Sequence, residues 1–115
     1  MDIRAYRPDD LSTIVSLWNG CVERNEVLYR PLVPAYFEEK FVKQPGTEIF
    51  IASEGEKLLG FLVGCKKTEF LPGQTEENTP AYLSVVMAAP EHRNQGVGSA
   101  LLTAFETHFA AMGKT

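Results

Sequence analysis

Residues 85–102, VVMAAPEHRNQGVGSALL, join an apolar run to a polar turn and a second apolar run. The valine-rich run before Pro90 is typical of a buried strand, and the aliphatic residues after Gly98 favour a helix. The first N–H groups of a helix lack partners within it and lie at the positive end of its dipole. Gly96 and Gly98 let a ligand approach the backbone, and Arg93 adds a permanent positive charge. The stretch therefore predicts a site that holds a phosphate or pyrophosphate on main-chain donors.

The composition is that of one soluble globular domain. The 115 residues are 44% hydrophobic and 23% charged, with a net charge of −4. A negative chain is a poor nucleic-acid binder, because binding requires basic patches that neutralise phosphates. The sequence has no apolar run near the ~20 residues that span a bilayer, and residues 1–4 resemble neither a signal peptide nor a transit segment. We therefore expect a cytoplasmic protein without nucleic-acid or membrane partners.

The cysteines and histidines do not predict a metal site. Cys21 and Cys65 are far apart and lack metal-ligand spacing, as do His92 and His108. Both cysteines lie in apolar surroundings, where a free thiol behaves as a small hydrophobic residue. We expect two free, buried thiols.

The hydrophobic patterns predict the element order β-α-α-β-β-β-α. Strands are predicted at residues 2–6, 47–53, 57–67 and 81–87, and helices begin near Pro8, after Pro34 and after Gly98. A mostly antiparallel sheet flanked by helices is an α+β fold. Gly60 and Gly64 are predicted to mark a bulge or close packing in the third strand.

Helical spacing assigns inward-facing residues to each helix. These are Leu11, Ile14, Val15, Trp18, Cys21 and Val22 on the first, Tyr36, Phe37, Phe41 and Val42 on the second, and Leu101, Leu102, Phe105, Phe109 and Met112 on the third. Gly113 is predicted to cap the third helix.

Two other glycine motifs fit poorly. A dinucleotide-binding fingerprint that begins at Gly96 requires a further glycine where Leu101 stands. Residues 113–115, GKT, resemble the end of a phosphate loop, but that motif requires a glycine at the position of His108. Because both motifs are incomplete, the predicted anion site is of another kind.

Residues 93–98, RNQGVG, resemble the Arg/Gln-x-x-Gly-x-Gly/Ala motif of the GNAT N-acetyltransferases. Pro90 precedes Arg93 at the usual spacing, and the predicted element order matches that family over the whole chain. Asn94 replaces a frequent glycine, and Ala88 replaces a frequent valine. The resemblance implies acetyl-CoA as the acyl donor. Its pantetheine arm would bind the backbone of Val86, Met87 and Ala88, and its pyrophosphate would bind amides of Arg93, Asn94, Gln95, Gly96, Val97, Gly98 and Ser99.

The resemblance also implies transfer of the acetyl group to a primary amine of a small molecule or protein, by direct attack. Glu69, Tyr82 and Ser84 are the candidates for the general base. Tyr29, Arg30, Tyr36 and Phe37 are the candidates for the acceptor wall. Glu69 has an alternative interpretation as a solvated charge, and Tyr82, Tyr36 and Phe37 have one as packing residues. The alternative function is a non-catalytic GNAT-like module for acyl-CoA binding or protein interaction.

A GNAT domain continues after the third predicted helix with a fifth strand, a fourth helix and a hairpin, and its cofactor lies between the fourth and fifth strands. The resemblance implies a GNAT domain that is incomplete at its C-terminus within these 115 residues. We expect a longer natural protein, with a downstream domain or a homodimer completing the sheet. The general acid, often a tyrosine of the fourth helix, has no counterpart in this sequence.

Overall fold

Four antiparallel strands form one sheet in the computed structural model, and they lie side by side in chain order. They are β1 (Asp2–Ala5), β2 (Thr47–Glu54), β3 (Lys57–Cys65) and β4 (Tyr82–Ala88). The structure describes residues 1–27, 29–75, 80–93 and 95–112.

The helices follow the predicted order. They are α1 (Leu11–Glu23), α2 (Pro34–Phe37, which continues as the π-helical turn Glu38–Val42) and α3 (Val97–Ala110). Single 3₁₀ turns at Pro8–Asp10 and Pro90–His92 precede α1 and α3. The predicted α+β fold with the order β-α-α-β-β-β-α is therefore confirmed.

The sheet has a hydrophobic core on each face. Side chains alternate between the faces of a strand, so Phe61 of β3 points to one core and Leu62 to the other. On one face, α1 and α2 contribute Ile14, Trp18, Cys21, Phe37 and Phe41. On the opposite face, α3 contributes Val97 and Leu101. β4 contributes Val85 and Met87 to the first core, and Ala88 packs against the second.

Two glycines of β3 allow α3 and β4 to approach the strand closely. A Cβ atom at Gly60 would lie 2.6 Å from the carbonyl oxygen of Met87 and 2.9 Å from a methyl group of Val97. A Cβ atom at Gly64 would lie 2.6 Å from the ring of Phe105. All three distances are shorter than van der Waals contact, so the predicted close packing is confirmed.

The inward face predicted for α2 is only partly correct. Phe37 and Phe41 are buried, but 51% of Tyr36 is exposed. The α-helical part is a single turn that widens into a π-helical turn at Glu38–Val42. Tyr36 lies before this turn and about 100° around the helix from Phe37, so it points away from the core that Phe37 enters.

The inward face predicted for α3 is also too wide. Leu101 and Phe109 are buried, whereas Leu102 and Met112 are exposed. Leu102 lies about 100° around the helix from Leu101, and Met112 lies beyond the last helical residue. Gly113, the predicted cap, lies outside the described residues.

Cys21 and Cys65 are free thiols, the first buried and the second half-buried. Within residues 1–27, 29–75, 80–93 and 95–112, no three His, Cys, Asp or Glu side chains gather into a group that could hold a metal ion. None of the helices in the described part of the chain is both long and apolar enough to cross a membrane.

Candidate active site

The first turn of α3 presents bare backbone donors to open space. Gly96 caps the helix at φ +81°, a conformation that favours glycine. The amide of Ala100 donates to the carbonyl oxygen of Gly96 at 2.9 Å. The N–H groups of Val97, Gly98 and Ser99 therefore have no partner within the helix. A Cβ atom at Gly96 or Gly98 would have no neighbour within 4 Å among the described atoms.

The end of β4 directs part of its backbone away from the sheet. The amide of Ala89 donates to the carbonyl oxygen of Leu59 at 2.8 Å. Because hydrogen-bonded and non-hydrogen-bonded pairs alternate along antiparallel strands, Met87 directs both backbone groups to β3. Val86 and Ala88 direct theirs to the opposite side, where β4 is the edge strand of the described sheet.

The middle of β4 contains a bulge. Val85 lies opposite Val63 and Leu83 lies opposite Gly64, so Ser84 is an extra residue in the strand. A bulge bends its strand and re-aims the side chains beside it. Ser84 is half-buried at this bend, and its hydroxyl oxygen lies 3.3 Å from the Cys65 sulfur.

An open cavity of about 890 Å³ lies beside the bulge. Three separate segments and one helix residue line it: residues 29–33 after α1, residues 36, 40 and 41 of α2, residues 82–85 of β4, and Trp18 of α1. We call it the acceptor cavity. Its volume is in the range of small-molecule binding sites.

The segment after α1 is held against that helix by side chains of α1. The indole N–H of Trp18 donates to the carbonyl oxygen of Arg30 at 2.8 Å, and the Trp18 ring stacks on Tyr29 with 4.8 Å between centroids. The Asn19 side chain donates to the carbonyl oxygen of Leu32 at 2.9 Å and accepts from the Leu32 amide at 2.8 Å. These contacts give the acceptor cavity an ordered aromatic wall.

Arg93 connects the two parts of the site. Its guanidinium forms an ion pair with Glu26, donates to the carbonyl oxygen of Ala88 at 3.3 Å, and lies 3.7 Å from the Cys21 sulfur. Arg24 also donates to Glu26, at 2.8 Å. The hydrogen bonds from Arg93 and then Arg24 lower the pKa of Glu26 to about 2. The turn before α3 is therefore tied to the segment that follows α1.

A family model described as Acetyltransferase (GNAT) family matches residues 12–115. The chain belongs to this acetyltransferase family. A comparison with curated protein sequences returns no significant match.

Solved structures share the fold of this chain. An acetyltransferase from Vibrio fischeri has a TM-score of 0.75 and 15% identity, with 100% of this chain and 91% of that chain covered. The aminoglycoside 6′-N-acetyltransferase AAC(6′)-IG from Acinetobacter haemolyticus has a TM-score of 0.72 and 17% identity, covering 100% and 75%. A transcriptional regulator from Bacillus halodurans C-125 has a TM-score of 0.74 and 26% identity, covering 98% and 76%.

The acceptor cavity brings together most of the side chains that the sequence predicts for catalysis and acceptor binding. Those that line it are Tyr29, Arg30, Tyr36, Tyr82 and Ser84. Phe37 has no exposed surface and packs edge-on against Trp18 and Phe61, so it supports the wall from behind. Glu69 is exposed in the connection after β3 and is not among the lining residues.

The residues predicted for the donor follow one another along β4, the turn and α3. Asn94 lies outside the described residues. Sequence reasoning missed Glu26, Asn19 and Lys40. Glu26 meets Arg93 across 67 residues of sequence, and no local pattern signals such a contact. Lys40 has a local signal, since it lies one turn after Tyr36.

Proposed function

We propose that this chain transfers an acetyl group from acetyl-CoA to a primary amine. The observation that supports the proposal is the junction of the bare first turn of α3 with the outward-facing end of β4. The acceptor cavity opens on the same strand, a few residues away. A phosphate-binding turn, a strand edge and a cavity are the three features that an acyl-CoA enzyme of this kind needs.

The residues present fit the pyrophosphate of acetyl-CoA. The N–H groups of Val97, Gly98 and Ser99 form a donor set at the positive end of the dipole of α3. Open space over Gly96 and Gly98 leaves room for phosphate oxygens at hydrogen-bonding distance.

The edge of β4 fits the amide groups of the pantetheine arm, which can pair with it as an added strand pairs with a sheet. Val86 offers both an N–H and a C=O group on the open side. Ala88 offers its N–H, while its carbonyl oxygen already accepts from Arg93. Met87 lies between these two residues and offers no backbone group on the open side, since its own N–H and C=O groups pair with β3.

Acetyl-CoA, when bound, supplies an acetyl thioester that an amine can attack directly. The outward N–H of Ala88 is a donor for negative charge that develops on a carbonyl oxygen. The amine nitrogen bonds to the acetyl carbon as the C–S bond breaks, and the hydroxyls of Tyr82 and Ser84 in the cavity can relay the amine proton, through water, to solvent or to the departing CoA thiolate. Glu69, the third candidate for the base, is not among the cavity residues.

Two measurements test the proposal. Titration calorimetry with acetyl-CoA is expected to give saturable binding, and a thiol-specific dye is expected to detect free CoA when an amine panel is added. A reaction without amine is the control for hydrolysis. Binding without amine-dependent release would favour the non-catalytic module, and absence of binding would contradict both functions.

A further inference from the structure

The charged side chains of the acceptor cavity are all basic. Among the described residues that line it, the only charged side chains are Arg30 and Lys40. The Lys40 ammonium lies 5.7 Å from the ring centroid of Tyr36 and 5.9 Å from that of Phe41. Both cations are exposed at the mouth of the cavity, so a bound molecule can reach them.

This lining contrasts with the rest of the chain. Acidic residues outnumber basic ones by 15 to 11, and several other cations have acidic partners. Arg4 pairs with Asp10, Arg24 and Arg93 pair with Glu26, and Lys43 pairs with Glu39. Within the described part of the chain, Arg30 and Lys40 form no ion pair with an acidic side chain. Their charges are therefore available to a ligand.

The surfaces between the two cations are aromatic and aliphatic. Tyr29 stacks on Trp18 on one side, and Tyr36 lies beneath Lys40 on another. Flat apolar surfaces of this kind bury aromatic or branched aliphatic groups, and the adjacent cations pair with carboxylates.

The same lining disfavours a polycationic acceptor. An ammonium group that leaves water needs an acidic partner, and the described lining offers none. Two nearby positive charges also favour the neutral form of a bound amine, which is the nucleophilic form. An amine that also carries a carboxylate fits both requirements, because the carboxylate pairs with a cation while the amine loses its proton.

We propose that the acceptor is an amine that carries a carboxylate or another negative group beside an apolar part, as in an apolar amino acid. This inference rests on the proposed transfer to an amine and narrows it to one class. It separates this chain from the aminoglycoside acetyltransferase AAC(6′)-IG, which shares its fold.

Trp18 provides a direct measurement, because it is the single tryptophan of the chain and lines the acceptor cavity. Quenching of its fluorescence is to be measured with phenylalanine, phenylglycine and leucine, each compared with its amide, and with kanamycin. The carboxylates are expected to bind about tenfold more tightly than their amides, the effect of one charge-assisted contact.

Variants assign that preference to the two cations. The double variant Arg30→Ala, Lys40→Ala is expected to reduce the preference for carboxylates over amides to twofold or less. The double change of Arg30 and Lys40 to glutamate is expected to make the amides bind more tightly than the carboxylates. Lys57→Ala, an exposed residue of the β2–β3 hairpin, is the matched control and should keep the preference. Equal or tighter binding of the amides or kanamycin, or no saturable quenching by any carboxylate, would overturn the inference.

The failure of this inference is distinguishable from the failure of the proposed function. The fluorescence titration requires no acetyl-CoA, whereas calorimetry tests the donor alone. Carboxylate selectivity without acetyl-CoA binding would support the cavity assignment and contradict the transferase. Acetyl-CoA turnover with kanamycin as the preferred amine would support the transferase and contradict the acceptor class.

Discussion

The donor turn (residues 93–99) and the acceptor cavity are built from different parts of the chain. The donor turn uses main-chain N–H groups, two glycines and the start of one helix, all within seven consecutive positions. The acceptor cavity uses side chains from α1, the segment after it, α2 and β4. A backbone site requires a local pattern of small residues, whereas a side-chain site can be assembled from distant segments. The first therefore leaves a motif in the sequence, and the second does not.

The first prediction has the largest expected effect, and it compares a side chain that lines the acceptor cavity with one that supports the lining from behind. Phe37→Ala removes a fully buried ring and is expected to lower the free energy of unfolding by about 3–5 kcal/mol. Tyr36→Ala changes a neighbouring residue that is half exposed, and should change that energy by no more than about 0.5 kcal/mol. Urea denaturation measures both. Equal losses would show that Tyr36 is a core residue and that this distinction is wrong.

The second prediction tests the donor turn. Gly98→Glu is expected to weaken acetyl-CoA binding at least about 100-fold, because like charges about 4 Å apart repel by roughly 4 kcal/mol at a partly exposed site. The space over Gly98 accepts a side chain, and an acidic residue in place of glycine in the first helical turn should preserve or raise stability.

Calorimetry and thermal unfolding measure these two effects. Thr103→Glu places the same charge on an exposed position farther along α3 and should leave the affinity within about twofold, since the helix dipole acts mainly at its first turn. Normal acetyl-CoA binding by Gly98→Glu would exclude the donor turn as the pyrophosphate site.

The fold was predictable because its signals are local and repeated. The apolar stripe of α1, the β-branched and aromatic residues of β2, and the glycines at 60 and 64 all agreed with one topology. The failures have local causes as well. Tyr36 and Leu102 were both placed inward because an aromatic or apolar residue beside a core stripe is consistent with either an inward or an outward position.

The part of the candidate site that is built from a local backbone turn could be predicted from the sequence, and the part that depends on contacts between distant segments could not. The glycines at 96 and 98 indicated the open turn directly, and the structure confirms the bare helix start. The backbone groups of Val86 and Ala88 face outward because of the register between β4 and β3. That register cannot be deduced from the residues of β4 alone. Glu26 became visible only through the tertiary contact that brings it to Arg93, whereas Lys40 could have been found from its position one helical turn after Tyr36.

The third prediction compares two candidates for the base. Tyr82→Phe is expected to reduce kcat by about tenfold to a hundredfold, near the lower range of general acid–base contributions, with little change in acetyl-CoA affinity. Glu69→Gln, outside the cavity lining, should keep kcat within about twofold. Steady-state rates of CoA release measure both. A large loss in Glu69→Gln with none in Tyr82→Phe would reverse the assignment.

The smallest expected effect concerns the ion pair that joins the two regions. Arg93 and Arg24 lower the pKa of Glu26 from 4.5 to about 2 in the folded chain. A carboxyl group whose pKa falls on folding stabilises the folded state above its unfolded pKa. This stabilisation is lost as the pH decreases through the folded pKa. The contribution of Glu26 should therefore be complete above about pH 4.5 and disappear towards pH 2.

Glu26→Gln tests this link because it keeps the shape of the side chain and removes its charge. The stability of the variant should lie below that of the original chain above pH 4.5, and the two curves should converge near pH 2. A carboxyl-carbon NMR titration locates the pKa directly, and a value near 4.5 would contradict the ion pair. If the pair holds, Arg93 orders the segment after α1 as well as the donor turn. Glu26→Gln should then change the affinities for both acetyl-CoA and the acceptor in the same direction.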